Sequence, residues 1–189
     1  MKPWLQMLVA GTLAVVATGA VMGAEIGGLK LDDKTTVGTQ ELVLNGAGIR
    51  TRAFFKVYVA SLYLPQKAVD LAGVLAKNPR RIQLNMLRTL SADQLAEALN
   101  EGLVEANSPA DVVAVKAQAE QLLAIMKAFK EVKENDIVTL DFVDGATKVA
   151  WNGATKGTIP GEPFNQALTK IWIGNNPVQT DLKKALLGG

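Results

Sequence analysis

The pattern of apolar and polar positions divides the first half of the chain into short strands. Residues 26–31 and 39–44 have the alternation of strands, and the following "VLNGAG" predicts a turn through its glycines. From Ala53 to Leu64 both alternating faces are mostly apolar, with Lys56 and Ser61 as polar exceptions. This stretch is therefore predicted to be a strand covered on both sides.

The middle of the chain alternates between helical and extended patterns. A short helix is predicted over residues 68–77, and "RRIQLNMLR" is typical of a further strand. "SADQ" has the composition of a capping box, in which Ser91 and Gln94 satisfy the first free backbone donors of a helix. That helix buries a stripe that includes Leu95, Leu99 and Leu103.

The second half of the chain predicts a long helix, a meander of strands and two closing helices. The helix is predicted over residues 109–130, with its apolar stripe ending at Phe129. In the meander, Asp144-Gly145 and Asn152-Gly153 are typical of tight hairpin turns. "EPFNQALTKIWIG" and "VQTDLKKALLGG" then form the two terminal helices, so the whole pattern predicts an α+β domain.

The first 24 residues have a different composition from the rest. Lys2 precedes an uncharged apolar stretch, and the small residues near Ala24 suit signal peptidase. Residues 1–24 are therefore predicted to be a cleaved signal peptide, which leaves a single domain over residues 25–189 in the periplasm, with no stable membrane insertion. The alternative is a retained membrane anchor, since residues 4–24 are just long enough to cross a bilayer.

Composition excludes several classes of function. The 20 basic and 18 acidic residues are spread along the chain and give a net charge of only +2, so we expect no nucleic-acid binding. The chain contains no His and no Cys, which excludes imidazole-based relays, thiolate metal sites and disulfides. We therefore predict no metal and no cofactor; catalysis, if any, would depend on Lys, Tyr, Arg or carboxylates.

Two arginines lie just before the apolar strand, in "NGAGIRTRAFFKVYVASLYLP". The glycines do not form a dinucleotide-binding fingerprint, because the third glycine is missing and a strand follows where a helix is required. Two interpretations remain open for the arginines. Arg50 and Arg52 are both solvated at the end of a strand, or one of them points inward to hold an anion.

Three segments resemble the bacterial secreted branch of the chalcone isomerase-like family: "LNGAGIRTRAFFKVYVASLYLP", "ADQLAEALNEGL" and "GEPFNQALTKIWIGNNPVQTDLKKALLG". The resemblance covers nearly all of the predicted mature chain. It implies an open-faced β-sandwich, in which a large antiparallel sheet is covered by a layer of helices and a ligand cleft lies between the layers.

The resemblance also implies where the site lies. The Arg that assists catalysis in the plant isomerases matches Arg50, and the position of a catalytic Thr falls on Tyr58. The positions of the catalytic Tyr, Lys and Asn fall on or near Leu95, Ala98 and Gly102, which carry no suitable donors. Because such a reaction depends on donors aimed at developing charge, we predict no catalytic residues.

Relatives on this fold bind fatty acids with an Arg and a Tyr. The resemblance therefore implies a non-catalytic periplasmic binder of a fatty acid or similar amphipathic carboxylate. Arg50 and Tyr58 would hold the head group, and Leu95 and Leu99 would contribute an apolar wall. Lys56 joins this set because side-chain direction repeats every two residues along a strand, which places it on the same face as Tyr58.

Two alternatives remain. The first is a weak isomerase or lyase for an unsaturated carbonyl compound, with Arg50, Lys56 and Tyr58 as its polar groups. The second is an interaction or scaffold protein whose cleft has closed.

Overall fold

The computed structural model describes residues 24–189. The predicted signal peptide therefore lies outside the described residues, apart from Ala24. The strands are β1 (Glu25–Ile26), β2 (Leu29–Lys30), β3 (Lys34–Val37), β4 (Gln40–Arg52), β5 (Phe55–Leu64), β6 (Arg80–Met86), β7 (Leu90–Ser91), β8 (Glu131–Val132), β9 (Ile137–Val143), β10 (Ala146–Trp151) and β11 (Ala154–Pro160). The helices are α1 (Leu71–Leu75), α2 (Ala92–Ala106), α3 (Pro109–Ala114), α4 (Lys116–Lys127), α5 (Glu162–Ile173) and α6 (Thr180–Leu186).

Seven strands form one antiparallel sheet in the order β11-β10-β9-β6-β5-β4-β3. Helices pack on one face of this curled sheet and bury most of the apolar core between the two layers. The opposite face carries a smaller apolar cluster around Leu42 and Tyr63. The β1–β2 hairpin lies close to Val59, which a β-carbon at Gly27 would approach to 3.3 Å. This arrangement confirms the predicted α+β fold, an antiparallel sheet under a layer of helices.

Strand β5 is covered on both faces, as the apolar run predicts. All its residues from Tyr58 to Leu64 are buried. Tyr58 and Leu62 belong to the core beneath the helices, whereas Tyr63 belongs to the cluster on the opposite face. The central position of β5, between β4 and β6, explains this double burial.

The turn predicted around Gly46 and Gly48 is wrong, because β4 continues through both residues to Arg52. The glycines instead allow α6 to pack directly on the strand. A β-carbon at Gly46 would lie 2.1 Å from the carbonyl oxygen of Ala185, and one at Gly48 would lie 2.9 Å from the Ala185 β-carbon. Close approach of two backbones is the second common reason for glycine in a strand.

Local signals set the helix boundaries. The predicted capping box at the start of α2 is confirmed, with Ser91 and Gln94 each bonding to the other's backbone amide. The helix predicted over residues 109–130 is divided into α3 and α4, because Val115 leaves the helical conformation with φ −107° and ψ 11°. Val115 is nevertheless buried, so its apolar side chain still anchors the segment to the core.

The two hairpin turns of the β9–β11 meander are confirmed. Asp144-Gly145 and Asn152-Gly153 all have positive φ values, as two-residue turns between twisted antiparallel strands require. Among residues 24–189, no helix is both long and apolar enough to cross a membrane.

Candidate functional site

A cleft lies between the sheet and the helix layer near the end of the β4–β5 hairpin. Its apolar lining comes from β5, β6, α2, α5 and the segment before α6, and its polar lining comes from two arginines, one tyrosine and two glutamates. The lining residues are Arg50, Arg52, Val57, Tyr58, Leu84, Leu95, Ala98, Leu99, Glu101, Gly102, Glu105, Ile171 and Val178. Four of the five predicted ligand-binding residues thus line one cleft.

Arg50 and Tyr58 are direct cross-strand partners on β4 and β5. Their side chains therefore lie next to each other on the helix-covered face. Arg50 is half-buried, and its Nη1 donates to the carbonyl oxygen of Thr51 at 2.9 Å and to Oε1 of Gln179 at 3.4 Å. Arg50 forms no ion pair with any of the described residues, although Glu101 and Glu105 line the same cleft.

Gln179 fixes the backbone on which Arg50 lies. Its Oε1 also accepts from the Thr51 amide at 2.9 Å, and its Nε2 donates to the carbonyl oxygen of Ile49 at 3.2 Å. The side chain of Gln179 therefore bonds to β4 on both sides of Arg50. These bonds limit the positions that the guanidinium can take.

Tyr58 is buried, and its hydroxyl oxygen accepts a hydrogen bond from Nε1 of Trp172 at 3.1 Å. Burial raises the pKa of Tyr58 above 10, while the Trp172 hydrogen bond and the Arg50 charge oppose that increase. The phenol is therefore protonated at neutral pH. With its oxygen already accepting from Trp172, its own proton can be donated to an acceptor in the cleft.

Lys56 does not line the cleft, contrary to its predicted place in the site. The register of β4 and β5 shifts by one residue here, because Arg50 pairs with Tyr58 but Thr51 pairs with Lys56. Val57 is the extra residue of this bulge, and it lines the cleft beside Tyr58. The regular alternation that would place Lys56 with Tyr58 is broken, and Lys56 is exposed.

Arg52 lies at the mouth of the cleft rather than in solvent alone. Its Nη2 forms an ion pair with Oε2 of Glu101 on α2 at 3.2 Å, and both side chains are about half exposed. The pair connects the hairpin to the helix across the opening. Arg50 therefore lines the cleft without forming an ion pair with any described residue, whereas Arg52 lies at its rim and is paired with Glu101.

The positions that the resemblance assigns to catalysis all lie in the cleft. Leu95, Ala98 and Gly102 line it from α2, together with Leu99. None of the three has a side-chain donor, so this part of α2 is apolar, although Glu101 and Glu105 of the same helix also line the cleft. A β-carbon at Gly102 would approach Ile171 and Val178 to 2.9 and 3.0 Å, so glycine also lets α5 close the floor of the cleft.

The enclosed cleft is small and continues into a wider groove. Its volume is about 70 Å³, against about 370 Å³ for the groove. The groove is lined by Arg52, Ala53, Phe55, Val57, Arg88, Leu90, Gln94, Glu97 and Ala98. Three of these residues, Arg52, Val57 and Ala98, also line the cleft, so the two spaces adjoin.

Trp172 and Gln179, which bond to Tyr58 and Arg50, were not among the predicted site residues. Both lie in the C-terminal segment that carried the family resemblance, but no role was assigned to them. A buried Trp needs a partner for its indole N–H, and this requirement was the available signal for Trp172. Nothing in the local sequence around Gln179 indicates that it reaches β4, because that contact depends on how α6 packs.

The described residues contain no group of three or more His, Cys, Asp or Glu side chains that could hold a metal ion. Arg50 and Tyr58 offer charged and neutral donors to an anion, while Glu101, which is paired with Arg52, and Glu105 line the cleft as well. An Arg with a free guanidinium edge is well suited to a planar carboxylate, which it can bind with two parallel hydrogen bonds.

Comparison with known proteins places this geometry in a family. The family model described as chalcone isomerase-like matches residues 23–188, so the chain belongs to the chalcone isomerase-like family. Among solved structures, it is similar to the crystal structure of a fatty-acid binding protein from Arabidopsis thaliana. The TM-score is 0.67 at 13% sequence identity, and the match covers 85% of this chain and 92% of the plant protein. No curated protein sequence matches the chain significantly.

Proposed function

We propose that this protein is a non-catalytic periplasmic binder of a fatty acid or a similar amphipathic carboxylate. The observation that carries the proposal is the half-buried Arg50, which forms no ion pair with any described residue and lies beside the neutral hydroxyl of Tyr58. A carboxylate in the cleft would neutralise the guanidinium and accept the tyrosine proton. The structural similarity to a plant fatty-acid binding protein supports the same ligand class.

The shape of the two spaces defines how such a ligand would lie. Ligand pockets for small molecules commonly measure about 300 to 1,000 Å³, so the enclosed cleft of about 70 Å³ is too small for a long acyl chain. The adjoining groove of about 370 Å³ falls in the usual range. The head group and first carbons would therefore occupy the cleft, and the rest of the chain would lie along the groove past Ala98.

Calorimetric titration with saturated fatty acids of increasing length tests this arrangement. Affinity should rise by about fourfold with each added methylene, equivalent to about 0.8 kcal/mol, until the chain extends past the groove. The gain should persist at high salt, because burial of methylenes is not screened. Affinity that is independent of chain length and strongly weakened by salt would indicate a surface ion contact instead.

A variant that fills the junction of cleft and groove sharpens the test. Ala98→Leu adds bulk where the two spaces meet, so it should weaken binding of long-chain acids while leaving short-chain acids almost unaffected. Ala117→Leu is the matched control, since Ala117 is exposed on α4 and lines neither space. Equal effects of the two variants would contradict the proposed path of the acyl chain.

The periplasmic location is part of the proposal and rests on residues 1–24. The mature protein should begin between residues 21 and 25 and be recovered in the periplasmic fraction. N-terminal sequencing by mass spectrometry measures this directly. Intact Met1 in a membrane fraction would favour the retained anchor.

The isomerase alternative is tested on the same protein. A 2'-hydroxychalcone should cyclise no faster with the protein than in buffer, because Leu95, Ala98 and Gly102 present no donors to the developing charge. An acceleration of about a hundredfold that Arg50→Ala abolishes would favour an enzyme, since that is the low end of the effect of one positioned acid–base group.

A further inference from the structure

The tip of the β4–β5 hairpin has unusual turn chemistry. Ala53 and Phe54 form the two-residue turn, with φ values of 46° and 70°. Two-residue turns with positive φ strongly favour Asn, Asp and Gly, and the two turns of the β9–β11 meander follow that preference. Phe in this backbone region is strained. Such strain often lies at functional positions, so the Phe54 ring is a candidate for a role outside the fold.

The rings at this tip face solvent. Phe54 is fully exposed and Phe55 is 60% exposed, whereas Phe129, Phe142 and Phe164 are buried in the core. We define the hairpin tip as residues 53–55. It presents two adjacent aromatic side chains that make no contribution to the core.

The charges around the hairpin tip are mostly positive. No Asp or Glu occurs from residue 42 to residue 69, whereas Arg52 and Lys56 flank the tip and are exposed. The guanidinium of Arg88 lies over the Phe55 ring, 4.6 Å from its centroid. Two acidic side chains lie on the neighbouring helix α2: Glu101 is paired with Arg52, and Glu97 lines the groove together with Phe55.

Exposed aromatic rings surrounded by cations fit the surface of an anionic membrane. Aromatic side chains insert among lipid head groups, while Lys and Arg contact anionic lipids at the same depth. We propose that the hairpin tip docks the protein on anionic lipid bilayers, without spanning them. Phe55 also lines the groove that leads to the cleft, so docking would bring the groove to the lipid surface. The docking does not depend on a carboxylate being bound.

Vesicle co-sedimentation tests the docking on the protein as recovered from the exporting cell. Vesicles of equimolar phosphatidylcholine and phosphatidylglycerol should pellet the protein, and vesicles of phosphatidylcholine alone should pellet much less. Phe54→Gly should reduce affinity for the anionic vesicles by about tenfold or more, because it removes the ring that inserts. Lys56→Gln should reduce it by about fivefold, the equivalent of about 1 kcal/mol per cation near the surface.

Misfolding would not explain a loss of vesicle affinity in Phe54→Gly, because glycine adopts a φ of 70° without strain. That variant should be at least as stable as the wild type in thermal unfolding. Val69→Ser is the matched control, since Val69 is an exposed apolar residue outside the tip, and its vesicle affinity should be unchanged.

Three results would overturn the proposal. They are no pelleting of the wild type with either vesicle, wild-type vesicle affinity in Phe54→Gly, or a loss of vesicle affinity in Val69→Ser as large as that in Phe54→Gly. In the first case the tip would be a contact for a protein partner or for none. Fatty-acid titration measured without vesicles is independent of all three results, so failure here leaves the proposed ligand untouched.

Discussion

Two rows of side chains on the central strands place an arginine beside each of the chain's two tyrosines, on opposite faces of the sheet. The first row is Arg50–Tyr58–Met86, on the face covered by helices. The second is Tyr63–Arg81–Asp141, on the opposite face. Both rows combine a partly buried guanidinium with a buried phenol, and they differ in the third position.

The second row is complete, because its arginine has a carboxylate partner within the protein. Nε and Nη2 of Arg81 donate to the two carboxylate oxygens of Asp141 at 2.5 and 2.7 Å, and Nη1 donates to Thr35 at 2.7 Å. In the first row, Met86 lies next to Tyr58 rather than Arg50, and no described strand pairs with β4 on the other side of Arg50, so this row is incomplete. The sheet neutralises the guanidinium of Arg81 with a neighbouring carboxylate, whereas Arg50, at the edge of a cleft, forms no ion pair with any described residue.

The largest expected effect is on stability, from removal of the acid in the complete row. Asp141→Ala should lower the free energy of unfolding by about 3 kcal/mol, because it leaves the guanidinium of Arg81 partly buried without a counter-ion. Urea denaturation of the purified variant measures the loss. Glu41→Ala is the control: it breaks the exposed ion pair with Lys34, which should cost about 0.5 kcal/mol or less.

Similar stabilities for Asp141→Ala and Glu41→Ala would remove the contrast between the two rows. The Arg81 pair would then be no stronger than a surface contact. In that case the lack of an ion pair between Arg50 and any described residue would carry little information about a ligand.

The next effect is on ligand affinity, from removal of the arginine in the incomplete row. Arg50→Ala should weaken binding of a long-chain fatty acid roughly 30-fold or more, the usual consequence of breaking a buried charge-assisted contact. Its stability should fall by only about 1 kcal/mol, since the hydrogen bonds lost are those to Thr51 and Gln179.

Arg52→Ala separates the interior arginine from the one at the rim. Arg52 is exposed and already paired with Glu101, so its removal should change affinity by less than about fivefold. Isothermal calorimetry on both variants provides the comparison. Equal losses from Arg50→Ala and Arg52→Ala would contradict a buried carboxylate site and favour the scaffold alternative.

Most elements of the fold could be predicted from local signals. The capping box at Ser91 and the Asn152-Gly153 turn depend on interactions between residues close together in the sequence, so residue type and spacing predict them. The turn predicted at Gly46 and Gly48 was wrong, because glycine permits a turn and also permits a helix to pack closely on a strand. Only the position of α6 distinguishes these two uses.

The family resemblance, rather than the strand pattern, brought Arg50 and Tyr58 together in the candidate site, and the structure places them as cross-strand partners. The alternation of side chains placed Lys56 on the same face as Tyr58, but the extra residue Val57 moves Lys56 out of the cleft. A bulge of this kind has no fixed sequence signature. The contribution of Gln179 depends on a contact between residues 128 positions apart, which no local pattern encodes.

The smallest effect concerns the ionisation of the two tyrosines. Burial raises the pKa of Tyr63 to about 12 and also raises that of Tyr58. At pH 10, where free tyrosine is half ionised, the folded protein should therefore show little tyrosinate absorbance. Above pH 10 the unfolded chain loses its tyrosine protons before the folded chain does, so stability should fall as pH rises from 10 towards 12.

A bound carboxylate should change the pKa of Tyr58 only, the tyrosine of the incomplete row. It would offset the positive charge of Arg50, which lowers the pKa of Tyr58, and so shift that titration to still higher pH. Spectrophotometric titration with and without a fatty acid measures the shift. Tyr63→Phe, which leaves Tyr58 as the single tyrosine, should retain the ligand response, and Tyr58→Phe should abolish it. In Tyr58→Phe the remaining tyrosine is Tyr63, and the Arg81 guanidinium beside it already has Asp141 as its carboxylate. A ligand at Arg50 should therefore leave the Tyr63 titration unchanged, and a response that persists in this variant would place the ligand elsewhere.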